Sequence, residues 1–379
     1  MKLISDSSEI RQICQELAKE DYIAIDTEFL RDRYYYPKLC LVQIAAKDQY
    51  YLFDTLAKDV DFSPLWQLLT EDKVLKVIHA ARQDIETIYH ITGKVIYPLF
   101  DTQIAVMALG YSSDSSYASI VSNFLNKNID KTQQFSSWDK RPLLESQVKY
   151  AILDVVYLNQ AYPLIKEALN KSDRNLWLDE EFGVLTNPKT YIIDPYNIWK
   201  KVPVRNKHIS FSKLRELCYF REMEARRLNI PRQHFLKDQT ILDIISKNIK
   251  TSDDLYKISS LRNLNSTQIK QIFEALEKAT LNPLDTEYMK NKNKAISPEE
   301  KNLVDLYKTI LISLAKQNNV SERLIATNDE LEEFVLRGNH EIKAMKSWRY
   351  EVFGKYALEF KQEKLSLKME NGKMVFKVS

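Results

Sequence analysis

The chain has 379 residues, 44% of them hydrophobic and 28% charged, with 11 Pro and only 6 Gly. That is too long for one ordinary domain, and the composition is that of a helix-rich globular protein, which excludes disordered and fibrous classes. No apolar run approaches the roughly 18 residues that span a bilayer. The first residues lack a basic-then-apolar signal pattern. Cys14, Cys40 and Cys218 are scattered and odd in number, which suggests neither a disulfide framework nor a zinc cluster. A cytoplasmic protein without membrane contact is expected.

The net charge of +3 conceals an asymmetry. Residues 1–200 carry 22 Lys+Arg against 28 Asp+Glu, whereas residues 201–379 carry 33 against 24. Between Lys200 and Arg232 stand ten basic residues and three acidic ones. An acidic half joined to a basic half suits cation binding in one and phosphate contact in the other. Solvated helical faces account for the same charges.

In chain order, Tyr22-Ile-Ala-Ile25 reads as a strand. Leu39 to Ala46 and Tyr50 to Asp54 read as a hairpin about Lys47-Asp-Gln49. Val74 to His79 is a fourth strand, followed by a helix from near Ala81. Leu99 to Leu109, Tyr117 to Leu125 and Glu145 to Leu169 have helical patterning. Antiparallel strands followed by alternating strand and helix predict an α/β domain with a mixed sheet.

From Asn170 the periodicity weakens, punctuated by Pro188, Pro195 and Pro203. Beyond that stretch no strand is evident until the last few residues. Leu214, Leu217, Cys218, Ala225 and Leu228 form one helical stripe. Thr251, Ser266, Ser297 and Thr327 mark helix starts, and Ser297-Pro-Glu-Glu300 is the strongest of them. A faint repeat relates Arg232-x-x-Phe235-Leu236 to Arg323-Leu-Ile325. These features predict an α/β domain over 1–187, a linker over 188–206 and two small all-α modules over 207–289 and 297–368.

The chemistry is expected among the carboxylates. Asp26-Thr-Glu28 ends the first strand, and alternation places both acids on one face. Crowded carboxylates at the end of a buried strand repel each other and lose hydration, which suits a hard divalent cation. An isolated D-x-E is more often the polar end of a strand. Asp84 opens the helix after Val74–His79 and equally suits the helix dipole. Tyr150 and Asp154 are spaced i, i+4 on an otherwise apolar helix, so they share a face. Four carboxylates can hold two divalent ions about 3.5–4 Å apart, which clamp an in-line displacement at phosphorus. A tyrosine hydroxyl is then free to orient the water. His79 suits strand-end packing better than substrate contact, and Tyr34 to Tyr36 fit core packing as well as base stacking.

The order D-x-E, then Asp, then Tyr-x-x-x-Asp resembles the DEDDy exonuclease superfamily. Ile25-Asp-Thr-Glu-Phe29, Tyr35-Tyr-Pro37, Leu41-Val-Gln43, Ile78-His-Ala-Ala-Arg-Gln-Asp84, Phe100-Asp-Thr-Gln103 and Trp138 to Leu143 resemble the ribonuclease D family more closely. Leu214 to Asp238, with Phe220-Arg-Glu222, is similar to the HRDC domain. Ile325 to Gly354, with Trp348-Arg349, is similar to that family's second HRDC-like domain. The family usually has Asp before the tryptophan of the Trp138 motif, and here Ser137 stands there.

The resemblance implies a ribonuclease H-like fold followed by two HRDC-type domains, two divalent metals (Mg²⁺ or Mn²⁺), and 3′→5′ hydrolysis of RNA to nucleoside 5′-monophosphates. By motif, Asp26, Glu28, Asp84 and Asp154 become the metal ligands and Tyr150 positions the attacking water. The expected substrates are structured RNAs, tRNA precursors above all, with no obligate protein partner. A DNA-directed 3′→5′ exonuclease and a non-catalytic RNA-binding protein on a nuclease scaffold are the alternatives. A fragment ending near Asn187 is expected to keep trimming short single strands while binding folded RNA more weakly.

Overall fold

The computed structural model describes residues 3–129, 136–204, 209–247, 249–284, 296–370 and 373–378. The chain forms two compact units, one of Met1–Glu28, Leu41–Pro188 and Ile296–Ser379, the other of Phe29–Cys40 and Lys189–Ala295.

The first unit is built on five strands: β1 (Tyr22–Leu30), β2 (Lys38–Ala46), β3 (Gln49–Phe53), β4 (Leu75–Ile78) and β5 (Leu99–Asp101). They lie in the order β3-β2-β1-β4-β5. β4 runs parallel to both neighbours, pairing Val77 with Ala24 of β1 and Ile78 with Asp101 of β5. β2 and β3 form the expected antiparallel hairpin, with Ala46 opposite Gln49. The sheet is therefore mixed. Its centre is dry: Ile23, Ala24 and Ile25 of β1 and Leu39 to Val42 of β2 are buried. Such β-branched and leucine-rich runs suit strands covered on both faces.

Helices α1 (Ser7–Leu17), α2 (Ser63–Thr70), α3 (Arg82–Thr92), α4 (Thr102–Ala108), α5 (Tyr117–Leu125), α6 (Glu145–Ser172) and α7 (Asp179–Leu185) complete this part. α1 and α2 go beyond the predicted elements. The helix expected over Leu99–Leu109 is instead strand β5 followed by α4. Asp101 causes the break, because its carboxylate accepts the N–H groups of Gln103 and Ile104 at 2.8 and 3.3 Å and so caps α4.

The second unit contains α8 (Phe211–Leu228), α9 (Arg232–Phe235), α10 (Asp238–Ser246), α11 (Ser252–Tyr256) and α12 (Ser266–Leu281). Leu214, Leu217 and Cys218 of the predicted stripe enter its core beside Trp199, Ile241 and Ile272, and Ala225 is buried too. Leu228, the last residue of α8, is exposed. The ends assigned to this module, 207 and 289, lie outside the described residues.

Much of the basic run between Lys200 and Arg232 is committed internally. Arg215 pairs with Glu216, Arg221 with Asp238, Arg226 and Arg232 with Glu222, and Arg227 with Glu224. Glu222 is fully buried, and the Tyr35 hydroxyl donates to it. The guanidinium groups of Arg226 and Arg232 stand 5.7 and 5.1 Å from the Tyr35 ring. Tyr35 thus belongs to this network.

The chain then returns to the first unit with α13 (Pro298–Gln317), α14 (Glu322–Ile325), α15 (Asn328–Arg337), a π-helical turn at Tyr350–Gly354, α16 (Lys355–Lys361) and the hairpin β6–β7 (Leu365–Glu370, Lys373–Val378). The Ser297 capping box forms as expected: its hydroxyl accepts from the Glu300 N–H at 3.1 Å, and Glu300 accepts from the Ser297 N–H at 2.8 Å. Ile310, Leu311, Leu314, Leu324, Ile325 and Phe334 share one core with Val77, Val106, Tyr162 and Leu169. Arg349 has no exposed surface and pairs with Glu180 and Glu181 of the α7 turn at 2.5 Å each. The Trp177 and Trp348 rings stack 4.0 Å apart.

Candidate active site

β1 delivers Asp26 and Glu28 from the middle of the sheet, and α6 delivers Asp154. One carboxylate oxygen from each lies within 4.8 Å of the others. Alternation along β1 and the apolar packing of α6 explain the meeting: Val155, Leu158 and Ala161 bury one side of the helix, which holds Asp154 against the sheet. Asp154 is only 6% exposed. Tyr150 sits one turn earlier on the same face, close enough that its hydroxyl pulls the Asp154 carboxyl down against burial.

Asp84 joins from the first turn of α3 and is 7% exposed. Its Oδ1 accepts a hydrogen bond from Thr27 Oγ1 at 2.5 Å, which ties it to the strand between the two acids of β1. The turn before α3 is held by Asp101, which accepts the N–H groups of Ala80 and Ala81 at 3.1 and 2.8 Å. Ala80 has φ 54°, a left-handed conformation that costs an alanine about 1–2 kcal/mol. Four backbone N–H bonds to one buried carboxylate therefore hold both strand-to-helix turns.

The electrostatics are those of a cluster lacking positive charge. Among the described residues no lysine or arginine pairs with Asp26, Glu28, Asp84 or Asp154. Burial first, then the Asp154 charge, holds the Asp26 carboxyl well above the usual range. Burial and the neighbouring acids push Glu28 up to about 10. Burial and Asp26 raise Asp84 to about 8, against the opposing pull of Thr27. Burial raises Asp154 to about 7, moderated by Tyr150. Burial and the nearby carboxylates raise the Tyr150 hydroxyl as well, so it keeps its proton. The donor set, all carboxylate oxygen, fits hard divalent cations such as Mg²⁺.

Of the five residues singled out by sequence, Asp26, Glu28 and Asp154 converge within 4.8 Å. Asp84 stands outside that triad, near enough for its charge to act on Glu28 and for that of Asp26 to act on it, and Tyr150 neighbours Asp154. Sequence reasoning did not assign Thr27, Asp101 or Tyr117. Tyr117 is seated behind Asp154, its hydroxyl donating to that residue's backbone carbonyl. His79 lies behind Tyr117, with ring centroids 5.7 Å apart, and its Nδ1 is 3.1 Å from Thr102 Oγ1. Burial lowers it to about 4, so it is neutral packing.

Residues 1–170 match the 3′-5′ exonuclease family, and residues 211–276 match the HRDC domain. Fold and acidic cluster define a metal-dependent exonuclease with an accessory helical domain. The chain is similar to ribonuclease D of Bartonella henselae, 37% identical over 386 residues that cover 99% of this chain and 93% of that protein. It is also 37% identical to ribonuclease D of Zymomonas mobilis, over 98% of this chain and 97% of that one. The crystal structure of Escherichia coli RNase D, described as an exoribonuclease involved in structured RNA processing, shares the fold with a TM-score of 0.79 at 22% identity, over 96% of this chain and 98% of that one. The chain belongs to the ribonuclease D family and is a 3′→5′ exoribonuclease.

Proposed function

We propose that Asp26, Glu28, Asp84 and Asp154 hold two divalent cations and that Tyr150 orients the water that attacks the terminal phosphodiester, releasing nucleoside 5′-monophosphates. The observation that carries this reading is the convergence of Asp26, Glu28 and Asp154 within 4.8 Å, with Tyr150 one helical turn from Asp154. Divalent ions in such a cluster supply Lewis-acid activation of water and neutralise charge on the leaving oxygen.

The protein's own part follows from the geometry. Asp26, Glu28 and Asp154 provide oxygens from two different elements, so their spacing is set by how α6 packs on β1. Thr27 fixes one Asp84 oxygen through its hydrogen bond. The Tyr150 hydroxyl stays protonated, so it orients water by hydrogen bonding rather than by taking its proton. One positioned hydrogen bond of this kind accelerates a reaction by about 10²-fold or more.

The substrate we assign is the 3′ end of structured RNA, with tRNA precursors the leading class, and the compartment is the cytoplasm. Family membership supports the RNA assignment. Among the described residues no helix is long and apolar enough to cross a membrane. Digestion of matched RNA and DNA oligonucleotides, with Mg²⁺ or with EDTA, tests the proposal. Metal-dependent release of 5′-mononucleotides from the RNA 3′ end is expected. Preferential degradation of DNA would favour the DNA-directed alternative, and cleavage of circular RNA would exclude an exonuclease.

A further inference from the structure

Trp138 lies outside regular secondary structure, in the stretch Ser136–Leu144 that leads into α6. It is 2% exposed and among the bulkiest fully buried side chains in the molecule. Its ring centroid is 6.2 Å from that of Tyr150, tilted by 41°. Among the described residues the buried indole Nε1 has no hydrogen-bond partner. An unsatisfied buried N–H costs about 1–3 kcal/mol, a penalty that phenylalanine would avoid. What tryptophan contributes there is its breadth against the Tyr150 ring.

The stretch that holds Trp138 is itself clamped. The Trp138 carbonyl accepts from Arg141 Nη1 at 2.8 Å. Arg141 forms a two-pronged ion pair with Asp54, at 2.6 Å from Nη2 and 2.8 Å from Nε. Asp54 follows β3 directly and is 8% exposed. Its backbone N–H bonds the Ile4 carbonyl at 3.0 Å, so it is fixed to the sheet edge. At the other end of the stretch, Gln147 accepts the Leu144 N–H at 2.9 Å and secures the start of α6. A continuous chain of contacts therefore runs from the sheet through Asp54, Arg141 and Trp138 to Tyr150.

The backbone of α6 fixes where Tyr150 begins, but its ring direction is set by what packs on it. We infer that Trp138, clamped through Arg141 to Asp54, is a positioning residue for the Tyr150 hydroxyl in the hydrolytic step. The inference rests on the reading of Tyr150 as the residue that orients water. A misplacement of about 1 Å at such a group costs on the order of 10²-fold in rate, and partial loosening of the ring costs less.

A double-mutant cycle tests this. Single-turnover rates on a 3′-labelled RNA, at saturating enzyme and Mg²⁺, are compared for wild type, Trp138→Phe, Tyr150→Phe and the double variant. Trp138→Phe is expected to slow the chemical step about tenfold with RNA affinity unchanged. In the Tyr150→Phe background the same substitution is expected to add almost nothing, since the group it positions has gone. Equal losses in both backgrounds, or an unchanged rate, would overturn the inference and leave the reading of Tyr150 standing. An unaltered rate in Tyr150→Phe alone would overturn that reading, and the inference with it.

Asp54→Asn provides a second, milder variant should Trp138→Phe not fold. The companion measurement is ¹⁹F NMR of metal-free protein labelled with 3-fluorotyrosine, in which Tyr150→Phe assigns the Tyr150 resonance. Asp54→Asn, whose ion pair is with Arg141, is expected to shift or broaden that resonance. An unmoved resonance would overturn the proposed chain of contacts.

Discussion

At the scale of single residues, crowding of carboxylates is the main source of the site's chemistry. Asp26 shares one cluster with Glu28 and Asp154, so Asp26→Asn removes a charge from the proposed metal site without changing the shape of the strand. Turnover in Mg²⁺ is expected to vanish while circular dichroism and RNA binding stay close to wild type, and near-normal rates would refute the ligand assignment. The same crowding sets a pH dependence. Burial pushes the Asp154, Asp84 and Glu28 carboxyls up to about 7, 8 and 10 when no cation is bound, against about 4 in an unfolded chain. Through that window the folded state keeps protons that the unfolded chain has released, so stability falls as pH rises. Calorimetry in EDTA should show Tm decreasing from pH 5 to pH 9. Mg²⁺ should raise Tm more at pH 8 than at pH 5, because the cation takes the place of protons the cluster would otherwise need. A metal-free Tm that rises across this range would contradict the crowding.

At the scale of elements, two junctions govern the geometry. Asp101 is the first. It links the β4–α3 turn, which carries Asp84, to the β5–α4 turn. Asp101→Ala leaves buried N–H groups unpaired, at about 1–3 kcal/mol for the first of them, and frees Ala80 to leave its left-handed conformation. Weaker Mg²⁺ affinity is expected in a calorimetric titration, together with a lower Tm. Unchanged metal affinity would show that the turn holds without it. The second junction is Arg349, which donates to the Leu324 carbonyl at 2.8 Å as well as pairing with Glu180 and Glu181. Removing one partner of a buried pair costs about 3–5 kcal/mol. Both glutamates reach solvent and can rehydrate, so Arg349→Ala belongs at the lower end, as read by urea denaturation.

At the scale of the whole molecule, the carboxy-terminal segment is part of the catalytic unit. Its helices share a core with the sheet and α6. The joint is close: the Ser321 N–H bonds the Met107 carbonyl at 2.9 Å, and Arg174 donates to the carbonyls of Asn318 and Asn319. Gly110, at φ 91°, faces Asn319 so closely that a Cβ there would lie 2.3 Å from its Oδ1. A fragment ending near Asn187 would uncover that shared apolar core. It is therefore expected to aggregate or melt well below the intact protein, rather than to persist as an active trimming domain. Recovery of a soluble fragment with a cooperative melt at the wild-type temperature would show the two parts to be independent. The salt dependence of RNA binding should also be shallower than the basic run suggests. Among the described residues at least five of its ten cations are already paired with carboxylates, and each cation so engaged is withdrawn from the slope of log affinity against log salt, about −0.7 per phosphate contact on single strands.

Sequence alone determined what short-range geometry controls. The strand period of two puts Asp26 and Glu28 on one face, the helical period puts Tyr150 above Asp154, and the Ser297 box starts its helix, whatever lies around them. Asp84 was legible through family resemblance, because nothing in its own helix separates a ligand from an N-terminal aspartate. β5 was not legible: three residues are too few to show a period before Asp101 caps the next helix. Thr27, Asp101 and Tyr117 carry no local signal, since each acts on a partner brought close only by folding. The basic run looked free for phosphate because ion pairs such as Arg221–Asp238 and Arg232–Glu222 cross from one helix to another. An apolar stripe on α13 reads identically whether it closes its own module or joins the catalytic core. Tertiary packing alone chose between those outcomes, because burial is decided by which surfaces meet.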